Sequence, residues 1–342
     1  MEDASGSREI IEIEEEKEEF KQFDIVVGDY SDHHFTKSNL PSKKVNSFIN
    51  QTSKRIMREW KILEENLPKS IYVRVYEGRI DLLRAVIIGA SGTPYHDGLF
   101  FFDFLFPADY PSQPPAVHYH SFGLRINPNL YAGGTVCLSL LNTWPGKKDE
   151  RWNPSESTVL QVLLSIQALV LTEEPYFNEP GHGILPGIDW DKRSLIYSEN
   201  IFALSCKTMW HLLRKPPMHF EDFVAAHFRE RAQFILMASK AYMDGLANVG
   251  FLVRNGSLSS SSATANKSKK FMMAMEWLYP ALVKAFEKTG ASVGKFVEQV
   301  KVDIEEIESR PRTVRNKKEG FARNIFNKVK TILGFFNCTA SG

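Results

Sequence analysis

Apolar side chains recur at helical spacing from Ile49 through Ile56, Trp60 and Leu63 to Leu67, and Pro68 ends the run. That period puts them on one face of a helix, with Asn46 or Ser47 placed to cap it. Lys54, Arg55, Arg58 and Lys61 lie between them as a basic set. The period then changes. Ile71, Val73 and Val75 alternate with longer polar or amphipathic residues, and Ala85 to Ile88 is a short apolar run that ends at Gly89. Leu99 to Phe106 is aromatic-rich, and Ala116 to His120 is shorter. Turn signals separate these segments at Gly78, Gly92-Thr93-Pro94, Asp97-Gly98, and Tyr110-Pro111 through Pro114-Pro115. Spacings this short predict an antiparallel meander of four strands, not βαβ units. After Trp152-Asn153-Pro154 the helical period returns. Val159, Val162, Leu163, Ile166, Leu169 and Val170 are predicted to face the sheet. Further helices are predicted over 194–213 and 220–243, parted by Pro216-Pro217, and over 271–286 with a kink at Pro280.

Composition divides the chain. Residues 1–44 read as an acidic tail, because Glu12, Glu14, Glu15, Glu16, Glu18 and Glu19 repel one another. Residues 45–215 form the predicted core and 216–254 a helical extension. Residues 255–270 read as a Ser-rich linker, and 271–342 as a helical, basic tail. In that tail, Ile325, Phe326, Val329, Leu333 and Phe336 share a face of Phe321–Phe336. Such a face suits an anionic membrane surface or, as the preferred reading, packing on its own protein.

With 342 residues, 43% of them hydrophobic, the chain can bury one sizeable core and a smaller second unit. A net charge of +1 gives no reason to expect a nucleic-acid partner. No signal peptide is expected, since the start is acidic and lacks an apolar run. The most apolar stretch, Val159 to Leu171, is too short to span a bilayer and contains Gln161, Ser165 and Gln167. Cys137, Cys206 and Cys338 lie far apart, which argues against a disulfide framework and a zinc site. A reducing compartment, cytoplasmic or nuclear, is expected, with no metal bound.

A lone cysteine is usually a small buried hydrophobe, and Cys206 and Cys338 keep that reading. Cys137 differs. It follows Gly133-Gly134-Thr135-Val136, where glycines let another chain approach, and lies eight positions after Asn129 in Asn127-Pro128-Asn129.

These residues resemble the catalytic core of ubiquitin-conjugating enzymes, which read His-Pro-Asn, a short loop, then Gly-x-(Val/Ile)-Cys-Leu. The likeness extends to Thr93-Pro94-Tyr95, the proline-rich loop from Phe106-Pro107 to Pro114-Pro115, and Trp152-Asn153-Pro154 with its helix, covering roughly residues 45–215. Two departures stand out: Asn127 replaces the family's histidine, and LNTWPGKKDER is inserted after the cysteine. Asn-Pro-Asn, the CLSLLNTW run and the extra helices after the core are similar to the large subclass, which includes animal conjugating/ligase hybrids and large plant enzymes, and FKQFDIVVGDYSDHHF before the core strengthens the plant comparison.

The resemblance implies an α+β UBC fold: an N-terminal helix, a four-stranded antiparallel meander, the active-site loop and C-terminal helices. It implies that Cys137 takes ubiquitin as a thioester from the activating enzyme and passes it to a substrate lysine, alone or through a ligase. SUMO or another modifier remains an alternative cargo. No bound cofactor is expected, since ATP is used upstream by the activating enzyme. Asn129 would donate to the oxyanion or hold the loop that does. Asn127, Pro128 and Trp152 would support the loop. Glu179, after the second long helix, would receive the lysine's proton, with His182 as a weaker candidate. Lys54, Arg55 and Arg58 would meet the activating enzyme and ligases, and Pro154 and Ser155 would meet ligases. Ser112 stands where ligase-binding members carry a bulky apolar residue. Ile10-Ile11-Glu12-Ile13 resembles segments that add a strand to SUMO-like modifiers, though a solvated tail is the preferred reading. A cysteine hydrolase would need a histidine base near Cys137, and a non-catalytic relative of the fold would lack the cysteine.

Overall fold

The computed structural model describes residues 20–37, 46–250 and 267–309. Cys338, the acidic run up to Glu19, most of the Ser-rich linker and Phe321–Phe336 lie outside the described residues.

The chain is α+β. Helix α1 (Asn46–Asn66) precedes strands β2 (Ile71–Tyr76), β3 (Arg79–Ile88), β4 (Leu99–Leu105) and β5 (Ala116–Tyr119), which pair as the predicted antiparallel meander. A fifth strand, β1 (Phe23–Val26), pairs parallel to β2 with Phe23 opposite Val73. Residues 20–37 therefore belong to the fold and not to a tail. Gln22 fixes this entry by donating to the carbonyls of Pro68 and Ile71.

Both faces of the sheet are covered, which explains why β4 is apolar on both sides except at Asp103. Phe100, Phe102 and Phe104 face one core with Ile56, Trp60 and Leu63 of α1 and Val159, Val162 and Leu163 of α2 (Val159–Ser165). Beyond α2, Ile166–Val170 continues as a π-helical stretch. Leu99 and Phe101 face a second core with Phe202 and Met209 of α3 (Trp190–Arg214) and Phe228 and Leu236 of α4 (Glu221–Met243). Phe271 and Leu278 of α5 (Lys269–Glu287) and Val300 of α6 (Gly294–Ser309) complete it. Helix α5 begins inside the stretch read as linker, because the Ser268 hydroxyl caps it by accepting from Phe271 N. Pro280 lies within α5, and the helix runs through it.

A charge pair interrupts the second core at the sheet. Arg84 and Asp103 face each other across β3 and β4, and both are fully buried. The guanidinium donates to both carboxylate oxygens, at 2.7 and 3.0 Å, and its remaining nitrogen reaches Asp32 at 2.8 Å. His33 and His34 cover this pair, and His34 stacks on His118 with ring centroids 3.4 Å apart. The segment read as tail thus closes a buried charge pair that water would otherwise reach.

Candidate active site

After β5 the chain turns back on itself. Single β-bridges pair Asn127 with Leu130, Leu130 with Val136, and Thr135 with His118. Gly134 has φ +88°, and a Cβ there would run into the His118 ring, so this position needs glycine. The thiol-bearing loop is thereby seated against β5.

Asn127 anchors the loop from inside. Its side-chain nitrogen donates to Tyr95 Oη at 2.9 Å and to Val170 O at 2.7 Å, and its side-chain oxygen accepts from Asn129 N at 2.7 Å. An amide offers two donors and an acceptor at one point, where a neutral imidazole offers one of each. The missing histidine is replaced by a side chain with more hydrogen bonds available. Pro128 is buried beside it, and its carbonyl accepts from Arg125.

Asn129 brackets the cysteine. Cys137 N donates to Asn129 O, and Asn129 Nδ2 donates to Cys137 O, both at 2.9 Å. Of the two roles expected for Asn129, the visible contact is the loop-holding one. The insertion reinforces it: Thr143 Oγ1 accepts from Leu138 N at 2.9 Å and donates to Val136 O at 2.7 Å, on either side of Cys137.

Cys137 is only 8% exposed. Burial pushes its thiol above the ordinary value, while a hydrogen bond from Tyr131 and the charge of Arg125 pull it back. Cys206 is fully buried between α3 and α4, and burial outweighs its hydrogen bond with Ser239, so its thiol is pushed up to about 12, as an inert core cysteine should be.

Glu179 follows a single 3-10 turn, Pro175–Asn178, and its carboxylate meets Arg125 at 3.4 Å. Arg125 also lies 4.6 Å from the Tyr131 ring centroid, so it joins Glu179, Tyr131 and the loop. Asn178 Nδ2 donates to Leu169 O and lies 3.4 Å from Asn127 Oδ1, which ties this turn to the same loop. His182 is engaged elsewhere, with Nδ1 against Tyr176 O at 2.8 Å and its ring stacked on Tyr176. Arg125, Tyr131 and Thr143 were not singled out from the sequence. The one available signal was a charge, Arg125, set in an apolar stretch between Leu124 and Ile126.

The expected contact surfaces divide. Lys54 and Arg58 are exposed on α1, and Pro154 and Ser155 are exposed in a turn whose Ser155 donates to Asn153 Oδ1. Arg55 is engaged internally instead. It pairs with the fully buried Glu59 at 3.1 Å and donates to Ser157 O, joining α1 to the start of α2. Trp152 Nε1 donates to Pro111 O at 2.7 Å, so the indole braces the proline-rich loop, not the Asn-Pro-Asn turn. Ser112 is exposed in that loop.

A sheltered cysteine in a glycine-backed, hydrogen-bonded loop, with a carboxylate–guanidinium pair close by, is an arrangement that can carry an acyl group. The family model described as ubiquitin-conjugating enzyme matches residues 55–183. The Arabidopsis thaliana protein called ubiquitin-conjugating enzyme E2 38 is 53% identical over 273 residues, which is 79% of this chain and 82% of that protein. Another from the same plant, called ubiquitin-conjugating enzyme E2 26, is 50% identical over 291 residues, 85% of this chain and 52% of its own length. The human dual E2 ubiquitin-conjugating enzyme/E3 ubiquitin-protein ligase BIRC6 is 37% identical over 235 residues, 66% of this chain and 5% of its own. The chain belongs to the ubiquitin-conjugating enzyme family. It is thus a ubiquitin transferase, of a family that works with ubiquitin, an activating enzyme, and ligases or substrates.

Proposed function

We propose that Cys137 is the carrier, that Asn129 holds its loop, and that Glu179 serves the incoming lysine. The observation that carries this reading is the pair of hydrogen bonds by which Asn129 fixes both peptide units of Cys137. In the first step the Cys137 thiolate attacks the ubiquitin carboxyl carbon held by the activating enzyme as a thioester, and the enzyme's own thiolate leaves. In the second step a lysine nitrogen attacks the new thioester carbon. The C–S bond breaks, the sulfur departs as thiolate, and the amine's proton passes by way of Glu179 to solvent. Lys54 and Arg58 offer the activating enzyme an exposed basic face, and Pro154 and Ser155 offer ligases a turn. ATP acts upstream, and no cofactor is required at the site.

A charging assay tests the assignment. With activating enzyme, ubiquitin and ATP, the chain should form an adduct that thiol reductant cleaves. Cys137→Ser should give at most a reductant-resistant ester, while Cys206→Ser should still charge. Reducible charging of the Cys137→Ser protein would sink the reading. A second reading, transfer without a separate ligase, is favoured by exposed polar Ser112 at the position where ligase loops favour apolar contact, and by the dual role named for the human relative. Slow lysine modification in a ligase-free mixture supports it, and no modification in that mixture removes it.

A further inference from the structure

Arg125 stands where three parts of the site meet. One of its terminal nitrogens donates to Pro128 O at 3.1 Å and to Glu179 Oε2 at 3.4 Å, and its guanidinium carbon lies over the Tyr131 ring. The bond to Glu179 is single and long, and the side chains of the pair are 47% and 45% exposed. Pairs of that kind bias an equilibrium by about fivefold at most. The contacts to Pro128 and Tyr131 do not depend on Glu179. Arg125 can therefore leave the carboxylate and stay attached to the loop.

A substrate lysine arrives as an ammonium. It brings a second cation to a carboxylate already occupied by one, and the two repel. We propose that Arg125 is a placeholder for the acceptor lysine: it occupies Glu179 until an ammonium displaces it onto Pro128 and Tyr131. This rests on the reading of Glu179 given above. The residue type fits the role. A lysine at position 125 would be an amine beside its own chain's thioester and could be acylated. A guanidinium carries the same charge, stays protonated and does not compete for the acyl group.

Arg125 also lies close enough to the sulfur for its charge to favour the thiolate. Removing that charge should then move two steps in opposite directions. Thiolate formation should become harder and lysine entry easier. A residue that only braced the loop would impair both.

The test uses the full chain, charged with ubiquitin and discharged onto free lysine over a range of concentrations. Arg125→Gln keeps a donor for Pro128 O and removes the charge. Its KM for lysine should fall about threefold to fivefold with kcat no higher, and iodoacetamide should alkylate its uncharged Cys137 more slowly at neutral pH. An unchanged or raised KM, alongside slow discharge by Glu179→Gln, would overturn the placeholder and leave Glu179 in its role. Discharge by Glu179→Gln at the parent rate would overturn both. Should Arg125→Gln fail to fold, Arg125→Lys carries the test. Mass spectrometry of its charged form should find ubiquitin on residue 125, and no such adduct would overturn the proposal.

Discussion

Asn127→Ala probes the anchor of the thiol loop. Asn127 is fully buried, and truncation removes three short hydrogen bonds. The consequences are unequal. Tyr95 Oη keeps its bond to Ile126 O, and Val170 O keeps its weaker one from Asn178. Each loss there costs about 0.5–1.5 kcal/mol. Asn129 N loses the acceptor that holds it, and an orphaned donor costs about 1–3 kcal/mol. The sum is about 2–6 kcal/mol. Asn127→His can keep one donor and one acceptor and should lose roughly half as much. Equilibrium urea unfolding, with the slope held common to the variants, reads these differences as shifts in midpoint. Charging of the folded fraction, measured alongside, should slow in Asn127→Ala because the amide that positions Asn129 is gone. An Asn127→Ala protein within about 0.5 kcal/mol of the parent would refute the anchoring argument, since even one orphaned donor exceeds that.

Other outcomes follow from the same geometry. Arg55→Ala leaves the buried Glu59 with hydrogen bonds from Tyr110 and Val159 but no countercharge and should lose about 3 kcal/mol in urea unfolding, whereas Lys54→Ala should keep its midpoint and raise the KM for the activating enzyme; equal midpoints for the two would refute the division. Because burial raises the Cys137 thiol, its iodoacetamide reaction should keep accelerating as pH rises beyond the range in which a free cysteine has levelled off, and Tyr131→Phe, which removes the hydrogen bond to sulfur, should shift that rise further alkaline. His118 is held down to about 4 by burial and by His34 and His120; the unfolded chain takes up a proton near 6.5 that the fold refuses, so stability should fall as pH drops through 6.5 and the loss should level off below about 4. A Tm profile over that interval should be flatter for His118→Gln than for the parent, and parallel profiles would remove His118 from the account.

Where the apolar period runs long, the sequence places the helices to within four residues at their ends: those expected over 194–213, 220–243 and 271–286 occupy Trp190–Arg214, Glu221–Met243 and Lys269–Glu287. Strand β1 escaped because four residues carry little periodicity, and its partner β2 lies some fifty positions away. The acidic run before it argued for solvent, and nothing local says that Asp32 and His33 will cover an ion pair. Cys137 was legible because its glycines and the Asn-Pro-Asn turn sit close by in sequence. Arg125, Tyr131 and Thr143 act through contacts made only when separate turns meet. Arg55 was misread for a related reason. On α1 it looks like Lys54 and Arg58, and only the fold shows that the glutamate one turn later points inward.

The boundaries of the sheet limit how another protein can join this one. On one side β1 occupies the open edge of β2, and the edge it leaves in turn is four residues long and bears Asp24. On the other side, β5 is bridged by the thiol loop through His118 and Thr135. Among the described residues, a visiting peptide therefore finds no long ladder of free backbone groups on this sheet to extend. On the proposed function, side chains on α1 and the turns around the sulfur are the surfaces left for recognition. Those can be altered one residue at a time without disturbing the pairing that holds the sheet together.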